Sequence, residues 1–271
     1  MTESFAGKTV IITGAGRGLG RGVAEEFAAA GASVMIAART MSYAEDGLAA
    51  IHAAGGDADI FQIDVKDHAA CVGLVDATVR RYGGIDVIVH CAADIPHGGV
   101  GSVDDEAMEA GFASIAKAAW WLLDAARPHL AASHDGGRFI VIGSVNGTYM
   151  TVPNMTAYGM AKAALDAFVR GAAGDVVKDN ITANAINPGL IASARAKEVL
   201  GNDGLEAYGA TVPVGRAGTA ADVAHACFFL ASGRASYVTG TSIKLDGGST
   251  IAAASARNDM LQDRLKQLTK H

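Results

Sequence analysis

The sequence predicts an α/β fold, a doubly wound parallel sheet of about seven strands with helices on both faces. Three observations predict it. Short apolar runs rich in β-branched residues alternate with helical patterns along the chain. A glycine-rich turn follows the first of these runs directly. The 271 residues, half of them hydrophobic, suffice for one sizeable core, and no Pro- or Ser-rich linker divides them. Such alternation gives parallel strands joined by crossover helices, with ligands in the crevice at the strands' carboxyl ends.

The first strand is predicted at 8–13, Lys-Thr-Val-Ile-Ile-Thr, a run suited to a buried strand. Gly14-Ala15-Gly16-Arg17-Gly18-Leu19-Gly20 follows, and Val23, Ala24, Phe27 and Ala28 then recur at helical spacing. Strand, glycine turn and helix start are contiguous, which lets backbone N–H groups meet a phosphate. The spacing G-x-G-x-x-G fails at Leu19, whereas T-G-x-x-x-G-x-G fits Thr13, Gly14, Gly18 and Gly20. A ligand-free connector is the alternative, but four glycines in seven residues are entropically costly for a mere turn. The turn therefore predicts a dinucleotide site of Rossmann type.

The second strand, 33–38, ends at Ala37-Ala38-Arg39-Thr40. An NAD site normally places an acid here for the ribose hydroxyls. Arg39 stands there instead, and Arg17 lies in the glycine turn, so the expected coenzyme is NADP(H) in preference to NAD(H). The third strand, 58–63, leads to Asp64-Val65, and the fourth, 85–90, to His90-Cys91-Ala92-Ala93. Adjacent side chains of an extended segment point to opposite faces, so His90 and Cys91 read as packing and turn residues; no metal is expected. The fifth strand, 138–143, precedes Ser144. The sixth, 181–186, precedes Asn187-Pro188-Gly189, and the seventh, 242–245, precedes Asp246-Gly247-Gly248.

Between the fifth and sixth strands lies Tyr158-Gly159-Met160-Ala161-Lys162. Residues four apart share a helix face. A lysine cation beside the phenol is expected to lower its pKa and make it a proton donor and acceptor.

Net charge is −6 and the pI about 5.7, against nucleic-acid binding. Three widely spaced cysteines fit a reducing compartment rather than a disulfide framework. With no apolar leader and no membrane-length apolar run, the expectation is a cytoplasmic protein with no membrane partner.

Taken in order, these motifs resemble the short-chain dehydrogenase/reductase family across residues 6–249. The resemblance implies reversible hydride transfer between NADP(H) and a hydrophobic secondary alcohol or ketone, with Ser144, Tyr158 and Lys162 catalytic. It implies coenzyme contacts from Thr13, Gly14, Arg17, Gly18, Leu19 and Gly20 in the turn. Arg39, Asp64, Val65 and Ala92 follow at the next strand ends, with Tyr158, Lys162, Pro188, Gly189 and Ile191 on the nicotinamide side. It further implies one domain over 1–251 with a mobile substrate lid at 190–215, followed by a polar tail at 252–271. A homotetramer or homodimer is implied, and the alanine-rich stretches 113–132 and 161–173 suit close helix approach. Tyr149, Met150, Met155, His97 and Tyr208 are candidates for the substrate pocket.

The sequence departs from the family pattern in three places. His90-Cys91-Ala92-Ala93 stands where Asn-Asn-Ala-Gly is usual. Ile115 occupies the place of an asparagine that holds a relay water, leaving Ser114 beside it as a possible detour. Ser144 precedes Tyr158 by fourteen residues rather than thirteen, which one extra loop residue explains. These departures motivate a second reading, a catalytically weak NADP-binding sensor or scaffold on the same fold. A third, a lyase or dehalogenase, is disfavoured by the intact glycine turn.

Overall fold

The computed structural model describes residues 4–251, with the side chains of Arg195 and Val199 excepted. The tail read at 252–271 lies outside the described residues. Seven parallel strands form one sheet: β1 Thr9–Thr13, β2 Ser33–Ala38, β3 Asp57–Gln62, β4 Val87–His90, β5 Gly137–Ile142, β6 Ile181–Pro188 and β7 Ser242–Leu245. Their order is β3-β2-β1-β4-β5-β6-β7. Every strand falls within two residues of its predicted start and end. β1, β4 and β5 are buried along their whole length, which is why they read as continuous apolar runs rather than alternating ones.

Helices α1 Gly18–Ala29, α2 Met41–Ala53 and α9 Ala220–Ala231 cover one face. There Phe27, Val34, Ile36, Val89 and Cys227 are buried together. Helices α3 His68–Tyr82, α5 Ala118–Ala131 and α7 Thr156–Val176 cover the other, where Leu74, Ile88, Leu122, Phe139 and Leu165 are buried. The remaining helices are α4 Asp105–Phe112, the short α6 Val145–Thr148 and α8 Ala194–Thr211. A π-helical turn, Ala113–Lys117, joins α4 to α5. Among the described residues no helix is long and apolar enough to cross a membrane.

The strand order reverses between β1 and β4, so the chain leaves these two neighbours in opposite directions along the sheet. The connections part there and open a crevice at the carboxyl ends. Thr13 closes β1 and His90 closes β4, and they stand in register on the crevice floor.

Candidate active site

The glycine turn fills one side of the crevice. A Cβ on Gly14 would lie 2.8 Å from the backbone of Ala92, and its φ of +69° is itself a glycine conformation. A Cβ on Gly20 would lie 2.4 Å from the carbonyl oxygen of Gly14. These two glycines let the protein's own backbone close up. Gly18 is different: it has φ +62° and open space beside it, with only Ser193 Cβ at 3.7 Å. Among the described residues no side chain caps the N-terminus of α1, and its first turn contains no acid. By contrast Asp67, Asp104 and Thr219 cap α3, α4 and α9. The open, positive end of α1 thus fits a pyrophosphate.

His90 joins this turn to the rest of the site. Its Nε2 lies 3.1 Å from the carbonyl oxygen of Ile115, which can only accept, so Nε2 carries the proton. Nδ1 then accepts from the Thr13 hydroxyl at 2.8 Å. Thr13 Oγ1 in turn accepts from the backbone N–H groups of Cys91 and Ala92, at 3.2 and 3.3 Å. Both ring nitrogens are occupied, and no cluster of three or more His, Cys, Asp or Glu suited to a metal occurs among the described residues. Burial, with the nearby Lys162 charge, holds the imidazole down at about 4. A buried neutral histidine costs stability as pH falls from its unfolded value near 6.5 towards 4, because only the unfolded chain then takes the proton. His90→Asn should therefore remove most of an acid destabilisation of about 2 kcal/mol between pH 7 and pH 4.5. Urea unfolding of both proteins at pH 7 and pH 4.5 checks this.

Ile115 itself is fully buried. It lies in the π-helical turn, and its carbonyl accepts from His90 Nε2. The Ser114 hydroxyl donates to the Ala110 carbonyl at 2.8 Å and accepts from the Asp94 N–H at 2.9 Å. It ties the helix to the loop after β4, so the detour expected through Ser114 finds that hydroxyl already engaged.

Ser144 follows β5, and Tyr158 and Lys162 on α7 pack beside that strand's end, with the Lys162 ammonium on the Ile142 carbonyl. The Ser144 hydroxyl lies close enough to the Tyr158 phenol to favour its ionised form, and it accepts from the Asn146 N–H at 3.1 Å. The loop carrying Ser144 is pressed onto α7: a Cβ on Gly147 would sit 2.1 Å from the Gly159 carbonyl oxygen, next to Tyr158. The long spacing between Ser144 and Tyr158 is taken up in this loop, and the Ser144 hydroxyl still acts on the phenol.

The expected effect of Lys162 on the phenol needs correction. Burial pushes Tyr158 up to about 12, and the nearby Ser144 hydroxyl only partly opposes this. Lys162, itself buried, is held down at about 8 by desolvation; its ammonium donates to the Ile142 carbonyl at 2.6 Å and lies 5.6 Å from the Tyr158 ring centre. Spacing places the lysine beside the tyrosine, but loss of water outweighs the neighbouring charge. The resting phenol is neutral.

A hydrogen-bond chain that the sequence reading missed supports Ser144 from behind. Asn187 Oδ1 accepts from the Ser144 N–H, and Asn187 Nδ2 donates to Asp166 Oδ1, each at 3.1 Å. Asp166 also accepts from Ser242 and Arg170. Burial would raise the Asp166 carboxyl, but these donors outweigh it and hold it below the usual range. Tyr158, Lys162, Asp166 and Arg170 follow at intervals of four, and that ladder along one face of α7 is the signal in the sequence.

The other predicted residues spread along the rim. Asp64 and Val65 follow β3, with Asp64 Oδ1 accepting from the Lys66 N–H at 3.0 Å. Leu19 is half-buried in the first turn of α1. Pro188 ends β6, the Gly189 N–H donates to the Leu245 carbonyl at 2.9 Å, and Ile191 pairs with Gly218. Arg17 and Arg39 have separate partners: Arg17 lies over the Tyr43 ring at 5.4 Å, whereas Arg39 pairs with Asp94 at 3.3 Å. The segment 190–215 is largely helical, as α8, and is broken at Gly201, where φ is +69°. A cavity of about 480 Å³ lies between α8 and the ends of β6 and β7, lined in part by Leu190, Tyr208, Val212 and Lys244. It does not reach Ser144 or Tyr158. Of the five pocket candidates only Tyr208 lines it, among the described residues. Tyr149 is half exposed, with Lys244 over its ring at 5.2 Å.

A family model described as enoyl-(acyl carrier protein) reductase matches residues 14–250. The chain is 34% identical over 258 residues to elsinochrome reductase 1 of Elsinoe fawcettii, covering 91% of this chain and 96% of that one. It is 31% identical over 260 residues to tetrahydroxynaphthalene reductase of Pyricularia oryzae, covering 91% of each. A solved 7α-hydroxysteroid dehydrogenase, complexed with NADH and 7-oxo glycochenodeoxycholic acid, matches with a TM-score of 0.84 at 29% identity, covering 90% of this chain and 95% of that one. With fold, crevice and near full-length similarity in agreement, the chain belongs to the short-chain dehydrogenase/reductase family and is an NAD(P)-dependent oxidoreductase.

Proposed function

We propose that this chain transfers hydride reversibly between NADP(H), in preference to NAD(H), and a hydrophobic secondary alcohol or ketone, with Tyr158 as proton donor and acceptor. The observation that carries this reading is Tyr158 on α7 with the buried Lys162 ammonium 5.6 Å from its ring centre and the Ser144 hydroxyl close enough to favour its ionised form, in a fold whose α1 N-terminus is left uncapped.

Thr13, Gly14, Gly18 and Gly20 would hold the coenzyme's pyrophosphate. Asp64 and Val65 would meet the adenine, and Ala92, Pro188, Gly189 and Ile191 the nicotinamide side. When bound, the reduced coenzyme supplies the hydride to the carbonyl carbon. The carbonyl π pair then becomes an alkoxide lone pair, and Tyr158 gives its proton to that oxygen. A neutral phenol is the protonation state this direction needs, which is how the high pKa serves the reaction. The Ser144 hydroxyl orients the same oxygen. Lys162 stabilises the phenolate left behind.

Two relatives, named as elsinochrome and tetrahydroxynaphthalene reductases, support a hydrophobic ring ketone as the substrate class. α8 would close over it, hinged at Gly201. Exposed Trp120, packed on Phe168 between α5 and α7, supports pairing of this face with a second copy in a homodimer or homotetramer.

Fluorescence titration with NADPH and NADH, followed by NADPH oxidation across a panel of cyclic and aromatic ketones, tests the proposal. Tighter NADPH binding with turnover on at least one ketone class is the expected result. Tight binding with no turnover on any ketone or alcohol would favour the sensor or scaffold reading, which Ile115 motivates.

A further inference from the structure

Four charged groups meet at the ends of β2, β3 and β4. The Asp94 carboxylate lies between two cations: Oδ1 is 3.3 Å from Arg39 Nη1, and Oδ2 is 3.1 Å from Lys66 Nζ. Asp64 lies 3.6 Å from Lys66 Nζ. The Asp94 carboxylate raises the Lys66 ammonium's pKa, so Lys66 is fully charged near neutral pH. Two cations and two carboxylates therefore cancel.

The partners differ in freedom. Arg39 is 61% exposed and sits on a long, flexible stem. Asp94 has a short side chain, and its backbone N–H is anchored by Ser114, which is buried. The cations can turn toward a ligand, but the carboxylate stays.

We infer that Asp94 competes with the coenzyme's 2′-phosphate for Arg39 and Lys66, and so is a negative determinant of NADP(H) affinity. The inference rests on the coenzyme-binding reading above. A phosphate monoester brings between one and two negative charges near neutral pH and needs cationic partners. Here both partners already face a carboxylate that occupies the place between them. Binding the phosphate means prising them from Asp94 and leaving that carboxylate as a nearby like charge. NADH, with no 2′-phosphate, bears neither cost. Coenzyme preference is thus set by a balance between Arg39 with Lys66 on one side and Asp94 on the other. The cluster lies at the solvent-exposed rim, so screening keeps the effect moderate and salt-dependent.

Dissociation constants for NADPH and NADH, measured by fluorescence on the full chain at low and high salt, test this without reference to turnover. Asp94→Asn keeps the side chain's size and removes its charge. It is expected to tighten NADPH binding about 5–10-fold at low salt, less at high salt, and to change NADH binding less than about twofold. In an Arg39→Ala background the same substitution should lose most of its effect. Wild-type protein that binds both coenzymes, with an NADPH-to-NADH ratio unmoved by Asp94→Asn, would overturn this inference alone. Wild-type protein that binds neither would overturn the functional reading together with it.

Discussion

Tyr158→Phe is expected to lower kcat for ketone reduction by about 10³-fold while leaving the NADPH dissociation constant within about twofold of wild type. The variant keeps the ring and its packing on α7 and deletes only the hydroxyl on which Ser144 acts. If the phenol is the proton donor, its loss acts on the transition state rather than on coenzyme binding, and kcat and kcat/KM should fall together. Steady-state kinetics and a binding titration on the same preparation check both halves. Turnover near wild type would remove Tyr158 from the chemistry.

Gly143→Ala is expected to cost about 2–4 kcal/mol of stability and at least ~10-fold in kcat. This glycine follows β5 and precedes Ser144. The added Cβ would lie 1.8 Å from Asn187 Oδ1. Asn187 must then move, and the Ser144 N–H and the Asp166 carboxylate each lose a buried partner. The Ser144 hydroxyl would be misplaced relative to Tyr158, whereas the glycine turn that would hold the coenzyme is untouched. Calorimetry with NADPH titration separates the effects: lowered melting temperature and kcat with near-normal coenzyme binding is the expected pattern. Unchanged kcat would show that Asn187 does not position Ser144.

Much of this architecture was legible in the chain. The buried central strands β1, β4 and β5 are short apolar runs and announced themselves, and alternation with helical patterns placed the others, all seven to within two residues. The cradle at Thr13–Gly20 was legible because close backbone approach restricts residue type to glycine. The reasons were less visible: Gly14 and Gly20 make room for protein backbone, and only Gly18 faces open space. Tyr158 and Lys162 were found from helical spacing. The direction of the tyrosine shift was not, because spacing reports a neighbouring charge and says nothing about lost water.

The sequence alone determined the fold class and the order of the strands along the chain, and it supplied the glycine turn and the Ser144, Tyr158, Lys162 set as the site to propose. Each rests on a local pattern of residue type or period, which a single chain displays directly. Tertiary structure decided which groups meet. Asp94 stands between Arg39 and Lys66, and His90 spans from Thr13 to Ile115. Asp166 reaches Ser144 through Asn187. These partners lie on different strands and loops, and their pairing follows from the reversal of strand order at β1 and β4 and from the burial it creates. Desolvation depends on everything packed around a group, so the neutral Tyr158 phenol and the weakened Lys162 base emerge only once the sheet and α7 have closed around them.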